Sequence, residues 1–105
     1  MADVAVTDNR EENRFEARVD GKLAGYAEYI LTKDLIVFSH TEVLPEFEGQ
    51  GIAGKIAWAS LDDVRGRGLA VLPTCPYFAA WIQKHPDYQT LLYRAPAPTP
   101  PASQG

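Results

Sequence analysis

A glycine-rich run near the middle of the chain, Glu48–Lys55 (EGQGIAGK), has the residue types and spacing of a phosphate-binding loop. Its glycines fit the dinucleotide pattern GxGxxG, and with Lys55 they fit most of the nucleoside triphosphate pattern GxxxxGK[ST]. A glycine-rich turn that leads into a helix exposes backbone N–H groups and the positive end of the helix dipole, and the missing Cβ atoms let an anion approach. The run therefore predicts an anion site. The alternative is that the glycines only form a turn and let the helix pack on a sheet.

The context of the run disfavours both nucleotide patterns. The triphosphate pattern requires Ser or Thr after the lysine to bind magnesium, and Ile56 stands there. The dinucleotide pattern requires a preceding βαβ strand and an acidic residue about 20 positions later. Antiparallel strands are predicted before the run, and the strand after it ends in Leu72-Pro73-Thr74, without a carboxylate. No metal site is predicted.

Three β-strands that form an antiparallel meander are predicted ahead of the glycine run. They span residues 15–19, 23–31 and 35–44, and Asp20-Gly21 between the first two is a strong signal for a two-residue hairpin turn. Alternation along the third strand assigns its side chains to two faces. One face holds Phe38, His40 and Glu42, and the other holds Val37, Ser39, Thr41 and Val43.

A helix, a short strand and a second helix are predicted after the meander. Apolar and small residues recur every four positions from Gly49 to about Arg65, which is typical of an amphipathic helix. Residues 69–72 predict a buried strand parallel to the third one. Pro76 suits the first turn of a second helix to about Lys84, and residues 87–93 predict a further helical turn. The order β-β-β-α-β-α predicts an α+β fold, a mixed α/β three-layer arrangement.

Length and composition predict one small domain with loose ends. The chain has 105 residues, and 46% of them are hydrophobic, which is enough for a core. Residues 1–12 are polar and are predicted to be flexible. Residues 95–105 are rich in Pro and Ala and are predicted to be disordered. The folded domain is predicted to span residues 13–94.

Charge, cysteine content and apolar runs restrict the partners and the compartment. A formal net charge of −4 repels phosphates, which argues against nucleic acid or an anionic membrane as a partner. No apolar run approaches the roughly 18–20 residues of a membrane helix, and the polar start is unlike a signal peptide. The single thiol, Cys75, is simplest to explain in a reducing compartment. We expect a cytoplasmic protein that is a monomer or a weak homo-oligomer.

The context of the glycine run resembles the GNAT acyltransferases. Their central motif, Q/R-x-x-G-x-G/A, follows a strand, opens a helix and binds the pyrophosphate of acetyl-CoA. The matching residues are Glu46–Gly51 (EFEGQG), where Glu46 replaces the usual Gln or Arg. Four segments within about residues 14–93 together resemble a small, stand-alone GNAT-like subfamily of N-acetyltransferases. These segments are His40–Val43, Glu48–Lys55, Val71–Tyr77 and Trp81–Tyr88.

The resemblance implies acetyl-CoA as the acetyl donor and an amine as the acceptor. It implies that the third strand and the strand at residues 69–72 splay apart, and that the pantetheine arm fills the gap. Free backbone groups near Val43 and Leu44 are expected to bind this arm, and the Val43 N–H to polarise the thioester carbonyl. Lys55 either adds charge at the pyrophosphate or is a solvated helix residue. The predicted cofactor-binding residues are Val43, Leu44, Glu48, Gly49, Gln50, Gly51, Ile52, Ala53, Gly54, Lys55 and Cys75.

Four residues are candidates for proton transfer or nucleophilic catalysis. Glu42 is a candidate general base or a sheet-surface carboxylate, and His40 is a second titratable group or a packed strand residue. Larger GNAT enzymes often have Asn at the position of Cys75 and a tyrosine general acid seven residues later, where this chain has Ile82. Tyr77 or Cys75 could replace that tyrosine. Cys75 could also accept the acetyl group covalently, or only line the cofactor tunnel.

Two functions from different classes follow from these residues. The first is an acetyl-CoA-dependent N-acetyltransferase acting on a protein or small-molecule amine, which the His40 and Glu42 pair favours. The second is a non-catalytic CoA-binding or protein-interaction module, which the missing tyrosine favours. The chain lacks the helices that larger members place between their first two strands, so the acceptor site is expected to be open or to be completed by another subunit.

Overall fold

The computed structural model describes residues 3–93 and contains a sheet, two α-helices and two short 3-10 helices. The strands are β1 (Val4–Asn9), β2 (Arg14–Val19), β3 (Lys22–Leu31), β4 (Leu35–Val43) and β5 (Ala70–Pro73). The helices are α1 (Ile52–Gly66) and α2 (Pro76–Gln83), and the 3-10 helices are Pro45–Phe47 and Pro86–Leu91.

The strands form one sheet in the order β1-β2-β3-β4-β5, antiparallel except for the parallel pair of β4 and β5. The predicted meander, the parallel strand and the mixed α/β class are confirmed. The prediction that residues 1–12 are flexible is wrong for β1, which pairs with β2 along its whole length. Asp8 anchors this strand, because its carboxylate accepts hydrogen bonds from Tyr29 at 2.5 Å and from Arg67 at 2.7 Å. The predicted tail at residues 95–105 lies outside the described residues.

The pairing of β3 with β4 contains a β-bulge at Ser39. Tyr29 lies opposite Phe38, and its neighbour Glu28 lies opposite His40, so Ser39 is an additional residue without a partner of its own. Side chains alternate between the two faces of a strand. One additional residue therefore exchanges the faces of all residues that follow it.

Because of the bulge, the residues of β4 are distributed over the two faces of the sheet differently from the prediction. Phe38 is fully buried beneath the helices, and Thr41 and Val43 lie on this same helix-covered face. His40 and Glu42 lie on the opposite, uncovered face, where their side chains are 53% and 50% exposed. The prediction that His40 and Glu42 share a face with Phe38 is therefore wrong.

Strands β4 and β5 separate after a short paired stretch. β5 pairs only with residues 35–38 of β4. The amides of Thr74 and Cys75 both donate to the carbonyl oxygen of Phe38, at 3.1 and 3.0 Å. Residues 39–43 of β4 continue without a strand beside them on this side. The sheet therefore opens at the place where the sequence predicts a splay.

Both helices cover one face of the sheet. α1 buries residues at the predicted four-residue spacing and their neighbours: Ile52, Ile56, Ala57, Ser60, Leu61 and Val64. Gly25 of β3 allows α1 to approach closely. A Cβ added there would lie 3.2 Å from Cγ2 of Ile52 and 2.7 Å from the carbonyl oxygen of Glu42. The start of α1 is thus held tightly against the end of β4.

Candidate functional site

The glycine run forms a turn with left-handed backbone conformation directly before α1. The φ angles are +82° at Gly49 and +75° at Gly51, a region in which residues with a Cβ are strained. A Cβ added to either glycine would meet no atom within 4 Å. Gly51 is the N-cap residue of α1, and no side chain caps the helix there. The glycines therefore set the backbone conformation and leave the space above the turn open.

Six consecutive amides at this turn have no acceptor within the described part of the chain. The amide of Glu48 donates to Pro45 and that of Lys55 donates to Gly51, whereas those of residues 49–54 donate to no protein group. The first amides of a helix lack intrahelical acceptors and lie at its positive pole. Several unpaired amides at one open turn suit an anion with several oxygen atoms.

These amides lie in a cleft of about 340 Å³, which we call the glycine cleft. It is lined by Val43, Phe47, Glu48, Gly49, Gly51, Ile52, Ala53, Gly54 and Tyr77. Most of the predicted cofactor-binding residues are thus brought together. Phe47 was not predicted as part of the site. Its signal in the sequence is weak, since it is a single apolar residue between two glutamates.

Val43 offers backbone groups at the open edge of β4, and Leu44 does not. The amide of Leu44 donates to Ala24 at 2.8 Å, and its carbonyl accepts from Phe47 at 2.9 Å. The prediction of free backbone groups at Leu44 is therefore wrong. In an antiparallel pair, successive residues direct their backbone groups to opposite edges. Thr41 and Val43 consequently direct theirs away from β3, towards the gap left by β5.

Three other predicted cofactor-binding residues, Gln50, Lys55 and Cys75, do not line the glycine cleft. Lys55 lines a separate cleft between α1 and β1, together with Val4 and Val6. Gln50 is exposed and is not part of the lining. Glu48 does line the cleft, so a carboxylate rather than an ammonium group lies beside the amides.

Cys75 and Tyr77 lie on the helix-covered side of the splay. Cys75 is the N-cap residue of α2 and is 4% exposed, and its Sγ donates to Oγ1 of Thr41 at 3.3 Å. Tyr77 lines the glycine cleft, and its hydroxyl lies 3.6 Å from a Cβ added to Gly54. Burial raises the pKa of Tyr77, so its phenol stays protonated in the neutral range and has a proton to donate.

His40 and Glu42 form a pair on the uncovered face of the sheet. Nε2 of His40 lies 3.1 Å from Oε1 of Glu42. The ring of Tyr26 lies 6.3 Å from the His40 ring, and the Arg14 guanidinium lies 4.5 Å above Tyr26. The structure brings these two catalytic candidates together. The edge of β4 lies between them and the cysteine and tyrosine on the helix-covered face.

Within residues 3–93, no helix has the length and apolar character needed to cross a membrane. Over the same range, no group of three or more His, Cys, Asp or Glu side chains could hold a metal ion. The groups gathered at the splay are backbone amides, one thiol, one phenol and the carboxylate–imidazole pair.

Comparison with curated proteins shows relatives of similar length. Protein NATD1 of Gallus gallus is 30% identical over 96 residues, which are 89% of this chain and 86% of that protein. Protein NATD1 of Mus musculus is 31% identical over 91 residues, 84% of this chain and 82% of that protein.

Comparison with solved structures shows a shared fold at low sequence identity. A GCN5-like protein of Staphylococcus aureus has a TM-score of 0.66 at 21% identity and covers 94% of this chain and 97% of its own. The ribosomal-protein-S18-alanine N-acetyltransferase of Escherichia coli has a TM-score of 0.61 at 14% identity and covers 80% of this chain and 76% of its own. A protein of Clostridium acetobutylicum described as a predicted acetyltransferase, solved with acetyl-CoA, has a TM-score of 0.50 at 11% identity and covers 80% of this chain and 58% of its own.

Family membership rests on the sequence match and agrees with the fold. The family model described as GCN5-related N-acetyl-transferase matches residues 14–91, which include the meander, the glycine turn, both helices and β5. This range is most of the chain, and the resemblance predicted from the glycine run and its neighbouring segments is confirmed. The chain belongs to the GCN5-related N-acetyltransferase family.

Proposed function

We propose that this chain transfers an acetyl group from acetyl-CoA to an amine on a protein or a small molecule. The observation that carries the proposal is that six unpaired amides, at residues 49–54, lie next to the open edge of β4 at Val43. Unpaired amides at a helix start suit a diphosphate. An open strand edge suits the amide groups of a pantetheine arm, which would bind as an added strand does.

The residues present fit this donor through backbone rather than side-chain groups. Gly49 and Gly51 leave the turn open, and Val43 continues the lining towards the splay. Glu46 stands where the family motif has Gln or Arg, and Glu48 lines the cleft. Both carboxylates repel a diphosphate, so the amides must supply the attraction.

The proposed reaction places proton acceptor and proton donor on opposite faces of the sheet. Bound acetyl-CoA supplies a thioester whose carbonyl carbon an amine can attack. The N–H of Val43 donates to the carbonyl oxygen. Glu42, held by His40 at 3.1 Å, takes a proton from the amine, directly or through water. Tyr77, on the helix-covered face, donates its phenolic proton to the leaving sulfur, so the proton removed on one face is replaced on the other.

Cys75 is proposed to line the passage rather than to carry the acetyl group. Its side chain is 4% exposed, and its Sγ is already engaged with Thr41 at 3.3 Å. A covalent route would form a Cys75 thioester and release CoA thiol before any amine reacts. That order of events separates the two routes by experiment.

The acceptor is proposed to approach the uncovered face beside Glu42. Among the described residues, both α-helices lie on the other face, so an exposed amine has room to reach this carboxylate. The Escherichia coli neighbour is named for an alanine of ribosomal protein S18, which makes a protein amine one class to test. The single cysteine supports a cytoplasmic setting.

A non-catalytic CoA-binding or protein-interaction module is the second candidate. The observation that favours it is Ile82, which is 1% exposed and stands where larger GNAT enzymes place a tyrosine general acid. Pure protein is mixed with acetyl-CoA and a panel of peptides and small amines, and thiol release and acetylated product are both measured. Acetylated product that matches the released thiol in amount, and that forms only when the protein is present, supports the acetyltransferase. Binding of CoA with no product from any amine contradicts it and favours the module.

A further inference from the structure

A second groove, which we call the aromatic groove, lies between α1 and α2 and adjoins the glycine cleft. It has a volume of about 320 Å³ and is lined by Gly54, Trp58, Trp81, His85 and Tyr88. Gly54 also lines the glycine cleft, so the two spaces meet at this residue. Both tryptophans of the chain lie in the aromatic groove.

The side chains that line the aromatic groove are fixed by contacts with one another and with neighbouring residues. Trp81 stacks on His85 with ring centroids 3.7 Å apart and meets the edge of Tyr88 at 5.1 Å. Nδ1 of His85 is bonded to the Trp81 carbonyl at 2.6 Å. The Tyr88 hydroxyl donates to Asp62 at 2.7 Å, and the Arg65 guanidinium lies 4.4 Å from the Tyr88 ring. Rings fixed before binding lose little freedom when a flat ligand enters.

Along both α1 and α2, the aromatic groove lies about one helical turn after the glycine cleft. Trp58 is four residues after Gly54 in α1, and Trp81 is four residues after Tyr77 in α2. Residues four apart share a face of a helix and lie about 6 Å apart along its axis. The groove is therefore placed to receive a group joined by a short linker to a diphosphate on the amides of residues 49–54.

We propose that the aromatic groove binds the adenine ring of acetyl-CoA, stacked against Trp58 and Trp81. The inference rests on the proposed function, because it takes the diphosphate to lie on the amides of the glycine turn. Trp58 is 60% exposed, so a large apolar face is open to a ligand. A flat, uncharged base needs aromatic faces rather than cations. Nε2 of His85 has no partner within residues 3–93 and can bond to a nitrogen of the base.

Binding by the adenine half of the donor is tested with fragments of coenzyme A. Tryptophan fluorescence reports on this groove, because both tryptophans of the chain line it, and Trp81 does not line the cleft between α1 and β1 that Trp58 also borders. Adenosine 3′,5′-bisphosphate is expected to quench the fluorescence in a saturable way, and 4′-phosphopantetheine is expected not to. Quenching by 4′-phosphopantetheine but not by the bisphosphate would overturn the proposal.

A variant measured by calorimetry completes the test. Trp58→Ala is expected to lower the affinity for coenzyme A by roughly tenfold, which is in the range of one lost base stack. The affinity for 4′-phosphopantetheine is expected to stay unchanged. Because Trp58 is exposed, its replacement leaves the hydrophobic core unchanged. Ile30→Ala, at an exposed apolar residue of β3 outside the groove, is the matched control and is expected to change neither affinity.

The outcomes distinguish this inference from the proposed function. Equal affinity of coenzyme A for wild type and Trp58→Ala would overturn the adenine site and leave the acetyltransferase proposal standing. Failure of both coenzyme A and 4′-phosphopantetheine to bind wild type would overturn both. A loss of affinity for both ligands in Trp58→Ala would show a general disturbance of the site and contradict stacking on adenine.

Discussion

Sγ of Cys75 lies 3.3 Å from Oγ1 of Thr41, and this contact joins the start of α2 to β4 where β4 and β5 separate. The thiol and the hydroxyl thereby close the helix-covered side of the splay. The Thr41 backbone faces the gap, so the contact also fixes the strand that is proposed to hold the pantetheine arm. On the proposed function, the buried thiol in this position shapes the passage and takes no part in the reaction.

Replacement of Cys75 by alanine is expected to preserve acetyl transfer. The kcat of Cys75→Ala should fall by less than about tenfold, or about 1.4 kcal/mol of barrier, because only packing against Thr41 is lost. Cys75→Ser, which keeps a hydrogen-bonding group, is the control. Intact mass after incubation with acetyl-CoA checks the route. An acetyl adduct on Cys75 that disappears when amine is added, with loss of turnover in both variants, would establish the covalent route instead.

Replacement of Glu42 by glutamine should remove the proton acceptor. The expected loss in kcat is about 10²–10⁴-fold, the usual contribution of a general base, while the affinity for coenzyme A is unchanged. Glu28→Gln is the matched control, because Glu28 lies on the same uncovered face opposite His40. Steady-state kinetics with saturating acetyl-CoA provide the measurement. Similar losses in the two variants would mean that surface charge, not proton transfer, explains the effect.

Replacement of Gly25 by alanine should disturb both stability and donor binding. The new Cβ would lie 2.7 Å from the Glu42 carbonyl oxygen, 3.2 Å from Ile52 and 3.3 Å from Cα of Val43. Overpacking of this kind costs roughly 1–3 kcal/mol, and here it displaces the start of α1 from the end of β4. Gly66→Ala, whose Cβ would meet nothing within 4 Å, is the control and should not destabilise. Urea unfolding and coenzyme A titration of both variants test this, and unchanged affinity in Gly25→Ala would contradict it.

The stability of the fold should fall at alkaline pH because of Tyr29. Burial and the hydrogen bond to Asp8 raise the pKa of Tyr29 to about 12, against a usual value near 10. The folded chain therefore holds this proton more tightly than the unfolded chain. Below pH 10, Tyr29 should not alter the pH dependence of stability. Between pH 10 and 12 its ionisation should lower the free energy of unfolding by up to roughly 3 kcal/mol.

Tyr29→Phe separates this effect from the other groups that titrate in the same range. It should be less stable than wild type at pH 8, by about 1 kcal/mol, because the bond to Asp8 is lost. Above pH 10 its free energy of unfolding should fall less steeply than that of wild type. Parallel curves for the two proteins in urea unfolding between pH 8 and 12 would show that Tyr29 does not titrate as expected.

The element order and the glycine turn were predictable because their signals are local. Asp20-Gly21, the glycines and Pro76 act on the backbone within a few residues. β1 was missed because the only large apolar residues that it turns towards α1 are Val4 and Val6, in a polar stretch, and this two-residue alternation is a short signal.

The faces and edges of β4 could not be predicted from the sequence alone. Alternation continues through Ser39 without interruption, and the bulge arises only from pairing with β3. The same register decides that Leu44 is bonded to Ala24 while Val43 is open. Likewise, the rotation of α1 against the sheet turns Lys55 towards β1. These properties depend on contacts between residues that are distant in the chain.

The most direct test of the central claim, that the amides of residues 49–54 bind the diphosphate of coenzyme A, is calorimetric titration of three proteins. They are wild type, Gly51→Ala and Gly68→Ala, since both glycines have positive φ (+75° and +70°) and open space at Cβ. Both variants should lose similar stability from backbone strain. Gly51→Ala alone should lose affinity, by roughly tenfold or more, about 1.4 kcal/mol. No binding heat from wild type, or equal affinity in all three proteins, would contradict the account.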